Sequence, residues 1–232
     1  MIGKNIKHYQ IEELLGKGGM GVVYRALDQK LKRPVALKVL KSELTTNPDR
    51  VRRFQQEARA AAAIQHPAIA QVYDIDEVDG TTFIAMEFVE GSTVSQLIKN
   101  QELDLVGSVE IAYQAAEGLA KAHNSKIIHR DIKSDNIMVT RDGHTKVLDF
   151  GLAKLMEPDE DSPGTETWPN KTRTQTMGQT MAGTVMGTIT YMSPEQARGQ
   201  DLSFTSDVFS LGIVLYEMVT GELPFKGDSP LD

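Results

Sequence analysis

The chain has 232 residues, 40% of them hydrophobic, and a formal net charge of -7 at pH 7. This length and apolar content suffice for one large domain or two modest lobes, and the acidic balance argues against a main surface that neutralises nucleic-acid phosphates or anionic lipid. The sequence has no cysteine, which excludes disulfides and thiolate metal sites. It shows neither a signal-peptide core nor a run of about 20 apolar residues. We therefore expect a cytoplasmic chain with no membrane segment and no nucleic-acid partner.

The beginning of the chain has the pattern of a β-rich unit. Apolar and polar residues alternate over residues 9–40 around a glycine cluster and Pro34, which predicts three strands with a tight loop. Residues 72–89 predict a β-hairpin with its turn around Gly80.

A helix is predicted between these strands, from Asn47, a good N-cap residue, to Pro67, which ends it. Glu57 falls on the face of this helix that also carries Ala58. A carboxylate on a face built for burial needs a cationic partner, and Lys38 on a neighbouring strand is the obvious candidate.

The rest of the chain is mainly helical. A helical region is predicted from Ser92 to Lys126, two short strands around residues 137–139 and 146–148, and a last helix from Thr205 to Thr220. Residues 156–185 are rich in Thr, Pro and Gly, which indicates a long mobile loop. The apolar face predicted for the first of these helices consists of Val109, Ala112, Tyr113, Ala116, Leu119 and Ala120.

The segment GKGGMGVVY places Gly16, Gly18 and Gly21 where backbone amides could approach a triphosphate closely. The strand resumes at residues 22–23 instead of a helix, which favours a flap over a dinucleotide-binding turn. An ordinary glycine-rich hairpin would show the same pattern. Considered in isolation, Lys38 in the strand segment VALK is better explained as an exposed edge charge, because lysine is seldom buried without a partner.

Two later segments are far more specific. His129 to Asn136 reads HRDIKSDN, and Asp149-Phe150-Gly151 follows thirteen positions after Asn136. With the glycine segment and VALK, they resemble the motifs of serine/threonine protein kinases, most of all the eukaryotic-like kinases of bacteria. The resemblance implies an α+β, bilobal protein-kinase-like fold. Its expected parts are a β-rich N-lobe (1–86), a hinge (87–91) and an incomplete, mainly helical C-lobe (92–232) with an activation segment (149–195).

The same resemblance implies the chemistry of ATP- and Mg²⁺-dependent phosphoryl transfer to Ser or Thr hydroxyls of protein substrates. Asp131 would receive or orient the hydroxyl proton, and Lys133 would approach the transferred group. Asn136 and Asp149 would ligate Mg²⁺, a hard cation that prefers oxygen ligands.

Further positions match the nucleotide site of the family. Lys38 would hold the α- and β-phosphates while Glu57 orients it, and Thr188 would hydrogen-bond near Asp131. Considered without the family, each apolar position is better explained as ordinary core. The positions matching ATP-binding residues are Gly16, Lys17, Gly18, Gly21, Val23, Ala36, Lys38, Met86, Glu87, Val89 and Met138.

Arg130 is a cation beside the expected catalytic carboxylate. In the family it meets a phosphorylated loop threonine, which implies autophosphorylation here, at Thr180 first and Thr184 second, through a transient homodimer. The alternative is that these threonines only keep the loop soluble.

The sequence ends at Asp232, where relatives continue with further helices, one of which carries an arginine that pairs with the residue matching Glu195. We therefore expect a fragment of a longer product, which could be membrane-anchored; the alternative is a truncated catalytic domain of low stability. A non-catalytic nucleotide-binding module is disfavoured because Lys38, Asp131 and Asp149 are all present. A small-molecule kinase is disfavoured by the activation-segment motifs in residues 187–195.

Overall fold

The computed structural model describes residues 1–19, 21–41, 52, 55, 58–150 and 189–225. The strands are β1 (Asn5–Ile6), β2 (Tyr9–Lys17), β3 (Gly21–Asp28), β4 (Arg33–Leu40), β5 (Val72–Val78), β6 (Thr81–Glu87), β7 (Gly91–Thr93), β8 (Ile137–Thr140) and β9 (Thr145–Val147). The helices are α1 (helical residues 58–62), α2 (Val94–Lys99), α3 (Leu105–Asn124), α4 (Pro194–Ala197) and α5 (Phe204–Thr220). Within these ranges no helix has the length and apolarity needed to cross a membrane.

The first six strands form one antiparallel sheet in the order β1-β2-β3-β4-β6-β5, which confirms the strands predicted in this region. The central strand β4 is buried on both faces. Val35 and Leu37 pack into one apolar cluster, whereas Ala36 and Leu40 pack into another with residues of α1 and β6. Because side chains alternate along a strand, Lys38 shares the face of Ala36 and Leu40.

Local turn chemistry explains how these strands are joined. The β5–β6 hairpin turns at Asp79 and Gly80, whose φ angles of 50° and 72° are both positive, as a type I′ turn requires. Between β3 and β4, the buried Asp28 accepts hydrogen bonds from the amides of Lys30 and Leu31, both at 2.9 Å. Burial alone would raise the pKa of Asp28, but these amides and nearby positive charge outweigh it and lower the pKa overall.

The sequence predicts a helical region from Ser92 to Lys126. In the structure this region contains the end of a short strand followed by two separate helices. Two capping interactions make the division. The Thr93 side chain accepts from the Gln96 amide while the Gln96 side chain accepts from the Thr93 amide, which starts α2. The Asp104 carboxylate accepts from the Gly107 amide at 2.7 Å, which starts α3.

The predicted apolar face of α3 is also wrong in part. Val109 and Tyr113 are 51% and 58% exposed, and Ala116 and Ala120 are exposed too. Small residues make up much of the true buried face, because α3 packs very closely: a Cβ on Gly118 would lie 3.1 Å from the carbonyl oxygen of Ala68. The buried residues of α3 are Ser108, Ile111, Ala112, Ala115, Gly118, Leu119 and Ala122.

A second core lies around α3 and α5, beside the three-stranded sheet β7-β8-β9. Ile69 and Phe150 belong to this core, so the chain between α1 and β5 packs against the helical part. The Ala70 amide donates to the Val147 carbonyl, and the Val147 amide to the Ala68 carbonyl, both at 2.9 Å. These bonds hold β9, and therefore the residues that follow it, against the segment between α1 and β5.

The last predicted helix is confirmed as α5, which ends at Gly221 in the left-handed conformation. The predicted helix start at Asn47 and the predicted loop over 156–185 lie outside the described residues.

Candidate active site

Lys38 and Asp149, 111 residues apart in sequence, meet between the six-stranded sheet and the helical part. The Lys38 ammonium donates to Asp149 Oδ2 at 2.7 Å. Lys38 is only 6% exposed, and a buried ammonium requires such an anionic partner. Asp149 has a φ of 61°, which is uncommon for a residue other than glycine and turns the carboxylate back toward β4.

The loop before β8 brings two of the predicted residues, Lys133 and Asn136, to the carboxylate of a third, Asp131. Lys133 Nζ donates to Asp131 Oδ2 at 2.8 Å, and Asn136 Nδ2 donates to the same oxygen at 2.9 Å and to the Asp131 carbonyl at 2.8 Å. Because the Asn136 nitrogen is used twice, its amide oxygen is the atom left for a cation. The Leu148 amide donates to the Asn136 carbonyl at 2.8 Å, which joins Asn136 to the chain just before Asp149.

Asp207, on α5, holds the backbone of this loop. Its buried carboxylate accepts from the amides of His129 at 2.8 Å and Arg130 at 2.9 Å, and it lies 2.7 Å from His123 Nε2. Arg130 has a φ of 70°, a strained value for this residue type. The buried carboxylate therefore stabilises the sharp turn that presents Asp131.

His129 has a structural function that the sequence motif did not reveal. Its ring is fully buried, with Nε2 2.7 Å from the Leu148 carbonyl and Nδ1 accepting from the Asp131 amide at 3.2 Å. With Nδ1 as the acceptor, the matching tautomer has its N–H at Nε2, which then donates to the carbonyl. The ring also contacts Phe150 edge-on, at 4.6 Å between centroids. His129 therefore connects the loop of Asp131 to the chain around Asp149.

The glycines between β2 and β3 occupy different environments. The Gly18 amide donates to the Gly21 carbonyl at 2.8 Å and closes the hairpin beside Lys17. A Cβ on Gly16 or Gly18 would meet nothing within 4 Å, whereas a Cβ on Gly21 would lie 2.1 Å from the Val39 carbonyl oxygen. Gly21 is therefore required by the sheet, whatever else the segment binds.

Several predicted nucleotide-binding positions share one surface. Val23, Ala36 and Met86 belong to a single apolar cluster on the face of β4 that carries Lys38. Val89 is buried just after β6, and Met138 lies on β8.

Glu87, at the end of β6, is bound from two directions. Lys146 Nζ of β9 lies 2.8 Å from Glu87 Oε1 and 3.0 Å from Oε2, and the Gln71 amide donates to Oε2 at 3.1 Å. Both charged side chains are largely shielded from water. The contact fixes the end of β6 relative to the strand that leads to Asp149.

The other predicted site residues, Glu57, Thr188, Thr180 and Thr184, lie outside the described residues.

Helix α4 connects the loop that carries Asp131 to helix α5. The Ser193 and Gln196 side chains cap its first turn reciprocally, and Gln196 Nε2 donates to the Arg130 carbonyl at 2.7 Å. Glu195 accepts a hydrogen bond from the Ser206 hydroxyl of α5 at 2.6 Å. This hydrogen bond lowers the pKa of Glu195. Sequence reasoning missed this contact because it joins two separate helices.

Comparison with known proteins agrees with the geometry. Residues 9–231 match the family model described as the protein kinase domain, so the chain belongs to the protein kinase family. A probable serine/threonine-protein kinase of Clostridium perfringens is 43% identical over 233 residues, covering 100% of this chain and 31% of that protein. PknB of Mycolicibacterium smegmatis is 40% identical over 228 residues, covering 96% of this chain and 34% of that protein.

PknA of Mycobacterium tuberculosis is 40% identical over 229 residues, covering 96% of this chain and 49% of that protein. The crystal structure of the M. tuberculosis PknI kinase domain aligns with a TM-score of 0.72 at 26% identity, covering 97% of this chain and 79% of that one. The bilobal kinase fold is thereby confirmed. The chain spans between about a third and a half of the length of these curated relatives.

Proposed function

We propose that this chain catalyses transfer of the γ-phosphoryl group of ATP to serine or threonine hydroxyls of proteins. The observation that carries this proposal is one continuous set of contacts. Lys38 binds Asp149, the backbone before Asp149 binds Asn136, and Asn136 binds Asp131, each at 2.7 to 2.9 Å. Residues that would hold phosphates, metal and acceptor are therefore adjacent, as an in-line displacement needs.

The nucleotide would lie on the surface formed by Val23, Ala36 and Met86, with its adenine against the backbone of Glu87 and Val89. Lys38 would neutralise the α- and β-phosphates. We place the boundary between the lobes at this hinge, with an N-lobe over 1–86, a hinge over 87–91 and a C-lobe over 92–232.

The residues present fit a magnesium ion. Asn136 and Asp149 offer two hard oxygen ligands, and magnesium bound to nucleotides takes its remaining ligands from phosphates and water. Among the described residues, no group of three or more histidine, cysteine or acidic side chains is arranged to hold a metal ion. Bound Mg²⁺ would screen the negative charge of the phosphates.

In the reaction the acceptor oxygen forms a bond to the γ-phosphorus while the bond to the β-phosphate oxygen breaks, and ADP leaves with that electron pair. Asp131 orients the acceptor hydroxyl and receives its proton. Lys133, 2.8 Å from Asp131, is placed to stabilise charge on the transferred group.

We also propose that the chain phosphorylates its own activation segment, at Thr180 before Thr184, within a transient homodimer. The support is Arg130, a cation next to Asp131 that suits a phosphothreonine. Phosphopeptide mapping after incubation with ATP and Mg²⁺ tests this, and an unmodified segment would refute it.

The main experiment measures transfer of labelled γ-phosphate to a generic basic protein. Asp131→Asn keeps the size of the side chain and removes the proton acceptor, so we expect the rate to fall by about 10² to 10⁴-fold. Asp135→Asn is the matched control, because Asp135 is exposed in the same loop. Equal transfer by the native chain and Asp131→Asn would refute the proposal. ATP binding without transfer would instead identify a non-catalytic nucleotide-binding module.

A further inference from the structure

Ser134 makes a contact that the mechanism above does not use. It lies between Lys133 and Asn136, is 1% exposed, and its hydroxyl is 2.8 Å from the Tyr191 hydroxyl. Tyr191 ends the short helical turn Ile189–Tyr191, which leads into α4, and its side chain is buried as well. A buried hydroxyl pair joins the loop of Asp131 to a segment 57 residues later in the chain.

The directions of these hydrogen bonds follow from counting protons. The Tyr191 hydroxyl donates to Glu217 Oε2 at 2.6 Å. Tyr191 has one hydroxyl proton, which therefore goes to Glu217, so Ser134 must donate to the Tyr191 oxygen. Burial, reinforced by Glu217, raises the pKa of Tyr191, so the phenol stays protonated at neutral pH.

Tyr191 is held by α5 at two separate points. Glu217 binds its hydroxyl, and the Ser210 hydroxyl donates to its carbonyl at 2.7 Å. Both residues belong to the helix that also carries Asp207, the anchor of the loop backbone. The Ser134 hydroxyl therefore adds a direct contact between two segments that are each fixed to the same helix.

We propose that Ser134 is a positioning residue that holds the segment Ile189–Tyr191 in register with Asp131, so that a protein acceptor places its hydroxyl correctly. This inference rests on the proposed function. The contacts of Ser134 and Tyr191 lead to α5 and do not involve Lys38 or the predicted adenine surface. Loss of the hydroxyl should therefore affect the acceptor and leave the nucleotide unaffected.

A second contact keeps the loop folded when Ser134 is changed. Gln196 Nε2 donates to the Arg130 carbonyl, and the loop amides still donate to the Asp207 carboxylate. A substitution at Ser134 is therefore expected to alter the register of the loop without unfolding it.

The test compares Ser134→Thr with Ser134→Val in the full chain, because the two side chains have nearly the same shape and only threonine has a hydroxyl. Loss of one buried hydrogen bond is expected to raise the KM for a protein acceptor, and to lower kcat/KM for it, by about tenfold in Ser134→Val. The KM for ATP should stay unchanged in both variants, and Ser134→Thr should retain the native acceptor KM.

Tyr191→Phe provides an independent measurement, since it removes only the shared oxygen. It should raise the acceptor KM without changing the KM for ATP, and adding Ser134→Val to it should cause no further loss. If Ser134→Thr and Ser134→Val have equal KM values for the acceptor, or if a variant changes the KM for ATP as much as that for the acceptor, the role of Ser134 is overturned. The proposed function still stands in that case, provided that the native chain transfers phosphate. If the native chain shows no phosphate transfer that is lost in Asp131→Asn, the proposed function is overturned, and this inference with it.

Discussion

The glycines between β2 and β3 are expected to differ sharply in their tolerance of alanine. Gly21 pairs with Leu40 on β4, and an added Cβ would lie 2.1 Å from the Val39 carbonyl oxygen and 3.0 Å from its carbon. At Gly16 and Gly18 an added Cβ meets nothing within 4 Å, and neither residue has a positive φ.

The size of the effect follows from this overlap. Real Cβ contacts are almost never shorter than 3.0 Å, so β3 must move away from β4 by about 1 Å at Gly21. A backbone N–H···O bond stretched by that amount exceeds the normal range. Weakened pairing with β4 and disturbed neighbouring packing should cost about 2 to 4 kcal/mol in Gly21→Ala. Gly16→Ala should change stability by less than about 1 kcal/mol, because alanine also restricts the unfolded chain.

Urea unfolding followed by circular dichroism, without nucleotide, measures these changes, with Gly16→Ala and Gly18→Ala as matched controls. We expect a clearly lower midpoint for Gly21→Ala alone. A Gly21→Ala midpoint equal to those of the controls would show that close packing against Val39 is not the reason for this glycine.

Three further outcomes are expected. Asp207→Asn loses a carboxylate oxygen that accepts a hydrogen bond from a backbone amide. The substitution should lower the free energy of unfolding by about 3 kcal/mol and slow phosphate transfer. Unchanged unfolding and transfer would refute the role of Asp207 as an anchor of the loop. Lys146→Met removes the charged partner of Glu87 and should lower the melting temperature and the affinity for ATP, whereas adding Glu87→Gln should recover part of the stability. A melting temperature of Lys146→Met equal to that of the native chain in calorimetry would contradict this role of the contact. The lowered pKa of Asp28 contributes stability that is complete above the unfolded value of 3.8 and is lost as pH falls through the folded pKa. Asp28→Asn should therefore make the melting temperature depend less steeply on pH on the acid side. An unaltered slope would contradict this.

The sequence predicts the parts of the fold that depend on neighbouring residues. The strands of residues 9–40, the hairpin turning at Asp79 and Gly80, and the helix ended by Gly221 follow from periodicity and turn chemistry. The convergence of Lys38 with Asp149 is expected only through the family resemblance, because no local pattern relates residues 111 positions apart.

The remaining features depend on tertiary contacts. The buried face of α3 differs from its apolar stripe because close approach to Ala68 selects Gly118 over larger residues. The contacts of Ser134 with Tyr191 and of Tyr191 with Glu217 join residues 57 and 26 positions apart, and serine, tyrosine and glutamate are common enough that nothing in the sequence marks them.

Magnesium-dependent ATP binding tests the central claim most directly, since the claim is that Lys38, Asn136 and Asp149 converge on one metal-bound nucleotide. Isothermal calorimetry should show that Mg²⁺ tightens ATP binding to the native chain and to Asp142→Asn, an exposed carboxylate control. The same ion should have little effect on Asp149→Asn. Mg²⁺ tightening ATP binding equally in Asp149→Asn and in the native chain would contradict the account.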